Sequence, residues 1–439
     1  MSPLLFAMFL NDVELELQAG SSSGISLDEL NIYLLLFADD AVLFSETKEG
    51  LQTSLDNFEQ YCKKWNLTVN TDKTKIMVFR KGGRLQADER WTIGGAEIEI
   101  VNHFNYLGIV FSSGGSFMKA TKTLSGKAIK ALGSLFSITN TLEVPINIMC
   151  NLFEAFVCSI LNYGCEIWGF SKADDVEKVQ RKFCKWVLGV KQTTNNLSVC
   201  GEMGRFPLFI ERRIRCVKYW LRLLTEKTEN CILSAVCERL MKQVERNKNH
   251  KNWVSDIKGL LQTSGFPDVW MYPRSVNINM FLPILRVRMR DVYISQWRDG
   301  MLSCTSLMLY REIHPQFQRA AYLDKLISPK LRRALSKLRL SSHILHIETG
   351  RHRSIPRNER ICTLCNIGDV EDEYHFVMIC PLYKEIRNMH IRRYYVNRPN
   401  MLKFVQLLKS ENFNVLKSLS IYVIEALTVR ESAINIRHV

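Results

Sequence analysis

Leu34 Leu35 Leu36 Phe37 Ala38 Asp39 Asp40 Ala41 Val42 Leu43 Phe44 reads as an apolar run, a tight pair of carboxylates and a second apolar run. That pattern predicts a buried β-hairpin with two adjacent negative charges at its turn. Such a doublet is unfavourable in apolar surroundings unless cations compensate it, which points to divalent metal ions at Asp39 and Asp40. Aspartate also suits a solvated turn, where its side chain hydrogen-bonds the backbone. An ordinary hairpin tip is therefore the competing reading.

Working outward, Leu51, Leu55, Phe58, Cys62 and Trp65 recur at helical spacing, which predicts an amphipathic helix over about 48–66 with one buried face. Leu67 Thr68 Val69 Asn70 Thr71 Asp72 Lys73 Thr74 Lys75 then forms a loop, and Ile76 Met77 Val78 Phe79 is strand-like. The order hairpin, helix, lysine loop, strand, with Ser2 Pro3 Leu4 Leu5 Phe6 in front, resembles the palm domain of non-LTR (LINE-type) retrotransposon reverse transcriptases.

Separated blocks carry the resemblance in the family's order. Ser2 to Phe6, followed by Leu10 Asn11 Asp12, looks like the tail of the template-contacting helix, and Phe37 Ala38 Asp39 Asp40 looks like the catalytic hairpin. Lys73 matches a lysine that the family is proposed to use in protonating the departing pyrophosphate; a solvated loop lysine is its plainer reading. Phe104 Asn105 Tyr106 Leu107 Gly108 looks like the primer-grip hairpin, and the resemblance implies Tyr106, Leu107 and Gly108 as primer-grip residues. Leu161 to Gly169 and Gly201 Glu202 Met203 Gly204 resemble the helical region after the palm.

The resemblance implies strand extension by in-line displacement at phosphorus, with two Mg2+ ions clamping the attacking and leaving oxygens. In that family a further Asp, on a strand before the helix motif, bridges the two ions. Here the sequence starts at Met1 Ser2 Pro3, within that motif. The expectation is an amino-terminally truncated polymerase, inactive alone because the fingers and the first catalytic Asp are missing. The alternative is a non-catalytic nucleic-acid-binding remnant. A weaker third reading is a protein-interaction domain with a purely structural metal site.

A second constellation lies near the carboxyl end. Cys362, Cys365, His375 and Cys380 form C-x2-C-x9-H-x4-C, the ligand set of a closed structural zinc site. The segment around it also resembles the carboxyl-terminal zinc module of LINE-type elements, which implies nucleic-acid binding and priming at target DNA. Arg351, Arg353, Arg357 and Arg360 precede the cluster, and Arg387, Arg392 and Arg393 follow it. These arginines are candidates for phosphate contact, with Tyr394 and Tyr395 as stacking surfaces; solvated basic loops are the plainer account.

The chain of 439 residues carries a formal charge of +15, which suggests a polyanionic partner, RNA or DNA, including a template-primer duplex. No apolar run of about 18 residues offers a membrane span, and the start lacks a basic leader, so an intracellular place in nucleus or cytoplasm is expected. Most of the thirteen cysteines lie in helical apolar patterns, as expected of reduced core thiols. Lys178, Arg181, Lys182 and Lys185 form a cationic stripe opposite Val176, Val179, Phe183, Trp186 and Val190, and Lys119, Lys122, Lys127 and Lys130 form a looser one. Such stripes suit either phosphate tracking or an ordinary wet face.

The expected class is α+β. A partial palm with an incomplete sheet (1–115) precedes a helical thumb (116–225) and a helical connector (226–330). A zinc module with basic flanks (331–400) and closing helices (401–439) follow.

Overall fold

A computed structural model of the chain describes residues 8–27, 30–80, 82, 89–139, 142–225, 232–247 and 249–437. The block Ser2 to Phe6 lies outside them. Among the described residues the chain mixes many helices with four separate two-stranded sheets: β1 (Ile25–Leu27) with β2 (Leu30–Ile32), β3 (Leu34–Phe37) with β4 (Asp40–Leu43), β5 (Thr92–Ile93) with β6 (Ala96–Glu97), and β7 (His103–Tyr106) with β8 (Ile109–Ser112). All four pairs are antiparallel.

The backbone groups into two compact units. The first comprises Met1–Thr123, Gly164–Lys172 and Arg215–Phe281, and the second Leu124–Tyr163, Ala173–Ile214 and Leu282–Val439. In the first, the predicted helix runs from Lys48 to Lys64 and is started by the Thr47 side chain, which accepts from the Gly50 amide at 3.1 Å. Its Leu55 packs with Ile76, Trp91, Ile93 and Ile98, and Leu43, Leu51 and Phe58 close around them. One turn further along, Tyr61 packs with Leu10 and Val13, flanked by Leu34 and Leu67. The Tyr61 hydroxyl donates to Asp12 Oδ1 at 2.6 Å, and burial together with that carboxylate raises the phenol's pKa above its usual range.

Two expectations need correction here. Ile76 to Phe79 is not a strand: only Ile76 pairs, in an isolated parallel bridge to Ile100, because the Ile76 side chain is taken into the core while Phe79 stays exposed. Trp65 likewise leaves the buried face and stands exposed past the end of its helix.

In the second unit the helix Asp174–Leu188 buries Val176, Val179, Phe183 and Cys184 and ends at Gly189, whose φ of 64° a side-chain-free residue adopts without strain. Phe183 stacks on Phe153 with ring centroids 4.2 Å apart. Helix Pro329–Arg339 packs along the closing helix Phe413–Arg437. At the heart of this unit Glu202, fully buried, accepts from Arg339 Nε at 2.6 Å, and Arg339 Nη1 reaches the Leu408 carbonyl at 2.6 Å. Among the described residues no helix is long and apolar enough to cross a membrane.

Candidate functional site

The hairpin β3–β4 forms where expected, with Leu34 opposite Leu43 and Phe37 opposite Asp40. Its turn is Ala38-Asp39, and Ala38 has φ 53°, a left-handed conformation that disfavours any residue with a Cβ. The strand period puts Leu34 and Leu43 on one face and Asp40 on the other with Leu35, Phe37 and Val42. Leu34 and Leu43 seat the base of the hairpin on the cores of the helix Lys48–Lys64.

The expected burial does not hold. Leu35, Leu36, Asp39 and Asp40 are exposed, and Phe37 is 60 % exposed. A two-stranded ribbon buries only what another layer covers, and the core covers its base. Asp39 and Asp40 thus project as adjacent solvated carboxylates. Among the described residues no further carboxylate, thiol or imidazole stands close enough to complete a metal-holding group with them.

Hairpin β7–β8 closes through Leu107 (φ 47°) and Gly108 (φ 84°) between the paired Tyr106 and Ile109. Two successive left-handed residues make the tight turn whose twist matches a hairpin. Gly108 meets this requirement without strain and Leu107 does not. The Tyr106 phenol is raised in pKa by burial and by the Asp40 carboxylate, so the two hairpins bring Tyr106 and Asp40 into electrostatic range. Lys73 is exposed on a turn in which its own amide donates to Asn70 Oδ1 at 3.1 Å, and no hydrogen bond or ion pair links it to Asp39 or Asp40.

The carboxyl-terminal cluster is a true spatial group. The ligand atoms of Cys362, Cys365, His375 and Cys380 all lie within 4.8 Å of one another and could hold a metal ion. A bridge between Ile361 and Val370, and the Cys362 amide donating to the Asp369 carbonyl at 2.8 Å, close the loop that carries the first two cysteines. The short π-helix His375–Ile379 delivers the other two, with the Cys380 amide donating to the His375 carbonyl at 2.8 Å. Cys365 Sγ and His375 Nε2 are 3.4 Å apart. The buried His375 Nδ1 has no hydrogen bond, its nearest acid being Asp369 Oδ2 at 3.8 Å. A hydrogen bond between the free thiols of Cys362 and Cys380 holds the first well below its usual pKa and, with burial, pushes the second above it.

The supports of this cluster went unread in the sequence. Glu371 takes a two-point ion pair from Arg430 (2.7 and 2.7 Å) and also accepts from the His346 amide at 2.7 Å. Glu373 accepts from His343 Nε2 at 2.9 Å and Ser341 Oγ at 2.7 Å. Asp372 Oδ1 accepts from the His375 amide at 2.9 Å. The signal was present as the acidic run Asp369 Val370 Glu371 Asp372 Glu373, which is unexpected beside arginines unless those acids have partners.

Several proposed cationic contacts are corrected. Lys185 is only 6 % exposed and donates to the Gln192 carbonyl at 2.6 Å, so it cannot meet a phosphate at the surface. Arg360 spends its guanidinium on the carbonyls of Ile355 (2.8 Å) and Ile347 (2.9 Å). Arg387 is buried and donates to the carbonyls of Val377 (2.8 Å) and Cys380 (2.6 Å). Lys178, Lys182, Arg353, Arg357, Arg392 and Arg393 are exposed, and Arg181 is half-buried. So are Lys119, Lys122, Lys127 and Lys130 exposed, along one helix, Met118–Thr139.

The reverse transcriptase (RNA-dependent DNA polymerase) family matches residues 1–111, the stretch that holds hairpin β3–β4, the Lys73 loop and all but the last residue of hairpin β7–β8. The RNA-directed DNA polymerase from mobile element jockey of Drosophila melanogaster is 21 % identical over 187 residues, 41 % of this chain and 20 % of that protein. The retrovirus-related Pol polyprotein from type-1 retrotransposable element R2 of Nasonia vitripennis is 32 % identical over 123 residues, covering 26 % of this chain and 12 % of that protein. The probable RNA-directed DNA polymerase from transposon X-element of Drosophila melanogaster is 20 % identical over 246 residues, covering 54 % and 26 %. The chain thus spans about a quarter or less of the length of each of these relatives.

Proposed function

We propose that this chain is part of an RNA-directed DNA polymerase of a non-LTR retrotransposon, acting on RNA and DNA. The reading is carried by the coincidence of the hairpins β3–β4 and β7–β8 and the Lys73 loop with the stretch that matches the reverse transcriptase family. Asp39 and Asp40 would hold Mg2+ through their solvated oxygens, consistent with an ion that keeps several waters and takes one or two carboxylates plus substrate phosphates. Bound there, the ions would stabilise the charge on the attacking and leaving oxygens. Tyr106, Leu107 and Gly108 would seat the primer end, and Lys73 would serve the departing phosphates.

At the other end Cys362, Cys365, His375 and Cys380 suit Zn2+ in a structural role. Bonds of about 2.3 Å to sulfur and 2.0 Å to nitrogen place two such ligands of one tetrahedron about 3.5 Å apart, and Cys365 Sγ and His375 Nε2 stand 3.4 Å apart. The orphaned Nδ1 of His375 faces Asp369 in the manner of a ligand imidazole steadied by a carboxylate. Exposed Arg353 and Arg357 beside the module, and Lys178 and Lys182 on their helix, would meet phosphates.

A second reading, nucleic-acid binding without catalysis, is favoured by one observation: Asp39 and Asp40 stand without a third ligand among the described residues. Primer extension on an RNA template separates the two. Synthesis by the purified chain above that of Asp39→Ala identifies a polymerase. Duplex binding with extension no greater than that of the variant identifies a binding protein.

A further inference from the structure

A cleft of about 60 Å³ lies beside the start of the closing helix, between His390 and Arg392 on one side and Asn414 and Ser418 on the other. Its floor is apolar: Ile391, Leu407, Val415 and Leu419 are all buried. The polar groups are Arg392, Asn414, Ser418 and His390, and they come from two stretches that the chain separates by more than a helix. None belongs to the metal cluster or to the hairpins.

The state of these groups decides what the cleft is for. Among the described residues the guanidinium of Arg392 has no ion-pair or hydrogen-bond partner, and neither has the side chain of Asn414 or the hydroxyl of Ser418. The buried arginines of this unit behave otherwise, since Arg339, Arg387 and Arg430 are each tied to a carboxylate or carbonyl. His390 is held by Glu425, whose Oε2 lies 2.8 Å from Nε2, and its Nδ1 carries no bond. A cationic fork, an amide and a hydroxyl, all uncommitted around one small concavity, are a donor set for an oxyanion.

Size narrows the ligand. At roughly 10–15 Å³ per water, the cleft has room for about four waters, the bulk of one tetrahedral oxyanion. A nucleobase or an extended peptide would not enter. The residues lining the cleft include no carboxylate and one guanidinium, that of Arg392. We propose that Arg392, Asn414 and Ser418 form, beside His390, a binding pocket for one phosphate group. Two sources share that chemistry, free phosphate and a phosphate of a nucleic-acid strand. The second rests on the nucleic-acid reading above and the first does not.

The full chain, Arg392→Gln and Asn414→Asp separate the outcomes. Arg392 is exposed and unpaired, so its replacement leaves the fold intact. An acid at position 414, in the first turn of a helix, favours that helix while repelling an anion. Calorimetric titration with inorganic phosphate is expected to show binding to the native chain that both variants lose. Anisotropy with a labelled single-stranded DNA is expected to show affinity about tenfold weaker in Arg392→Gln, since a hydrogen bond to a charged group is lost. The slope of log affinity against log salt should fall by about 1. Phosphate isotherms identical in the native chain and both variants overturn the pocket. Loss of phosphate binding with unchanged DNA affinity assigns it to the free ion. Phosphate binding that the variants abolish, in a chain that binds no DNA at all, upholds the pocket and rejects the nucleic-acid reading.

Discussion

Ala38 holds a left-handed backbone at the turn that sets Asp39 beside Asp40. For a residue with a Cβ that conformation costs about 1–2 kcal/mol. Ala38→Gly is therefore expected to stabilise the hairpin unit by up to about 1 kcal/mol once glycine's extra unfolded freedom is counted, as read from a denaturant midpoint. A bulky β-branched residue such as Val should lower it. The buried pair Glu202–Arg339 makes the opposite demand. Burial alone would raise the carboxyl's pKa, and Arg339 holds it below the ordinary value of 4.5. A depressed folded-state pKa means the stabilisation is complete above the ordinary carboxylate range and fades as pH falls below about 4.5 through the lower folded value. Glu202→Gln should cost about 3–5 kcal/mol at neutral pH, because Arg339 is left as an unpaired buried charge, and should remove this acid-side dependence from the unfolding curve.

Elements showed where local pattern suffices and where it does not. The hairpin at 34–43 and the helix Lys48–Lys64 were readable because two apolar runs around a turn and a helical apolar stripe each lie within a few residues, whereas the hairpin at 103–112 was legible only through the resemblance of Phe104 to Gly108. The C-x2-C-x9-H-x4-C spacing was readable for the same reason, and its ligand atoms meet. Burial was not readable, since it depends on what a segment packs against. The apolar β3 strand looks like core and projects into solvent, while Lys185 looks like surface and is buried against the Gln192 carbonyl. The basic helix Asp174–Leu188 therefore divides. Charge removal at Lys178 and Lys182 should reduce the salt slope of duplex binding by about 1 each. Lys185→Gln should leave the slope unchanged while lowering the melting temperature, which a salt titration beside a thermal scan would check.

For the whole molecule, motif order along the chain and packing in space give different maps. Boundaries at 115, 225 and 330 follow the motifs, whereas the two compact units each gather three separated stretches. Contacts between distant segments leave little trace in one sequence. The metal cluster illustrates this, since its acidic loop is gripped by residues from 341–346 and by the closing helix. Because structural-metal binding energy is largely folding energy, chelation or Cys362→Ser is expected to unfold the segment around 360–380 and to release the grip on Arg430. Amide exchange should quicken in both places while protection at Leu55 and Phe58 in the other unit persists.

Arg430 holds Glu371 across 59 positions of sequence, and the Tyr422 hydroxyl donates to the Phe376 carbonyl at 2.6 Å. A nonsense codon that spared every cysteine but fell just before Tyr422 would thus erase two fasteners of the Cys362–Cys380 segment at once. The last stretch of the chain is as much a guardian of the thiol cluster as the thiols themselves.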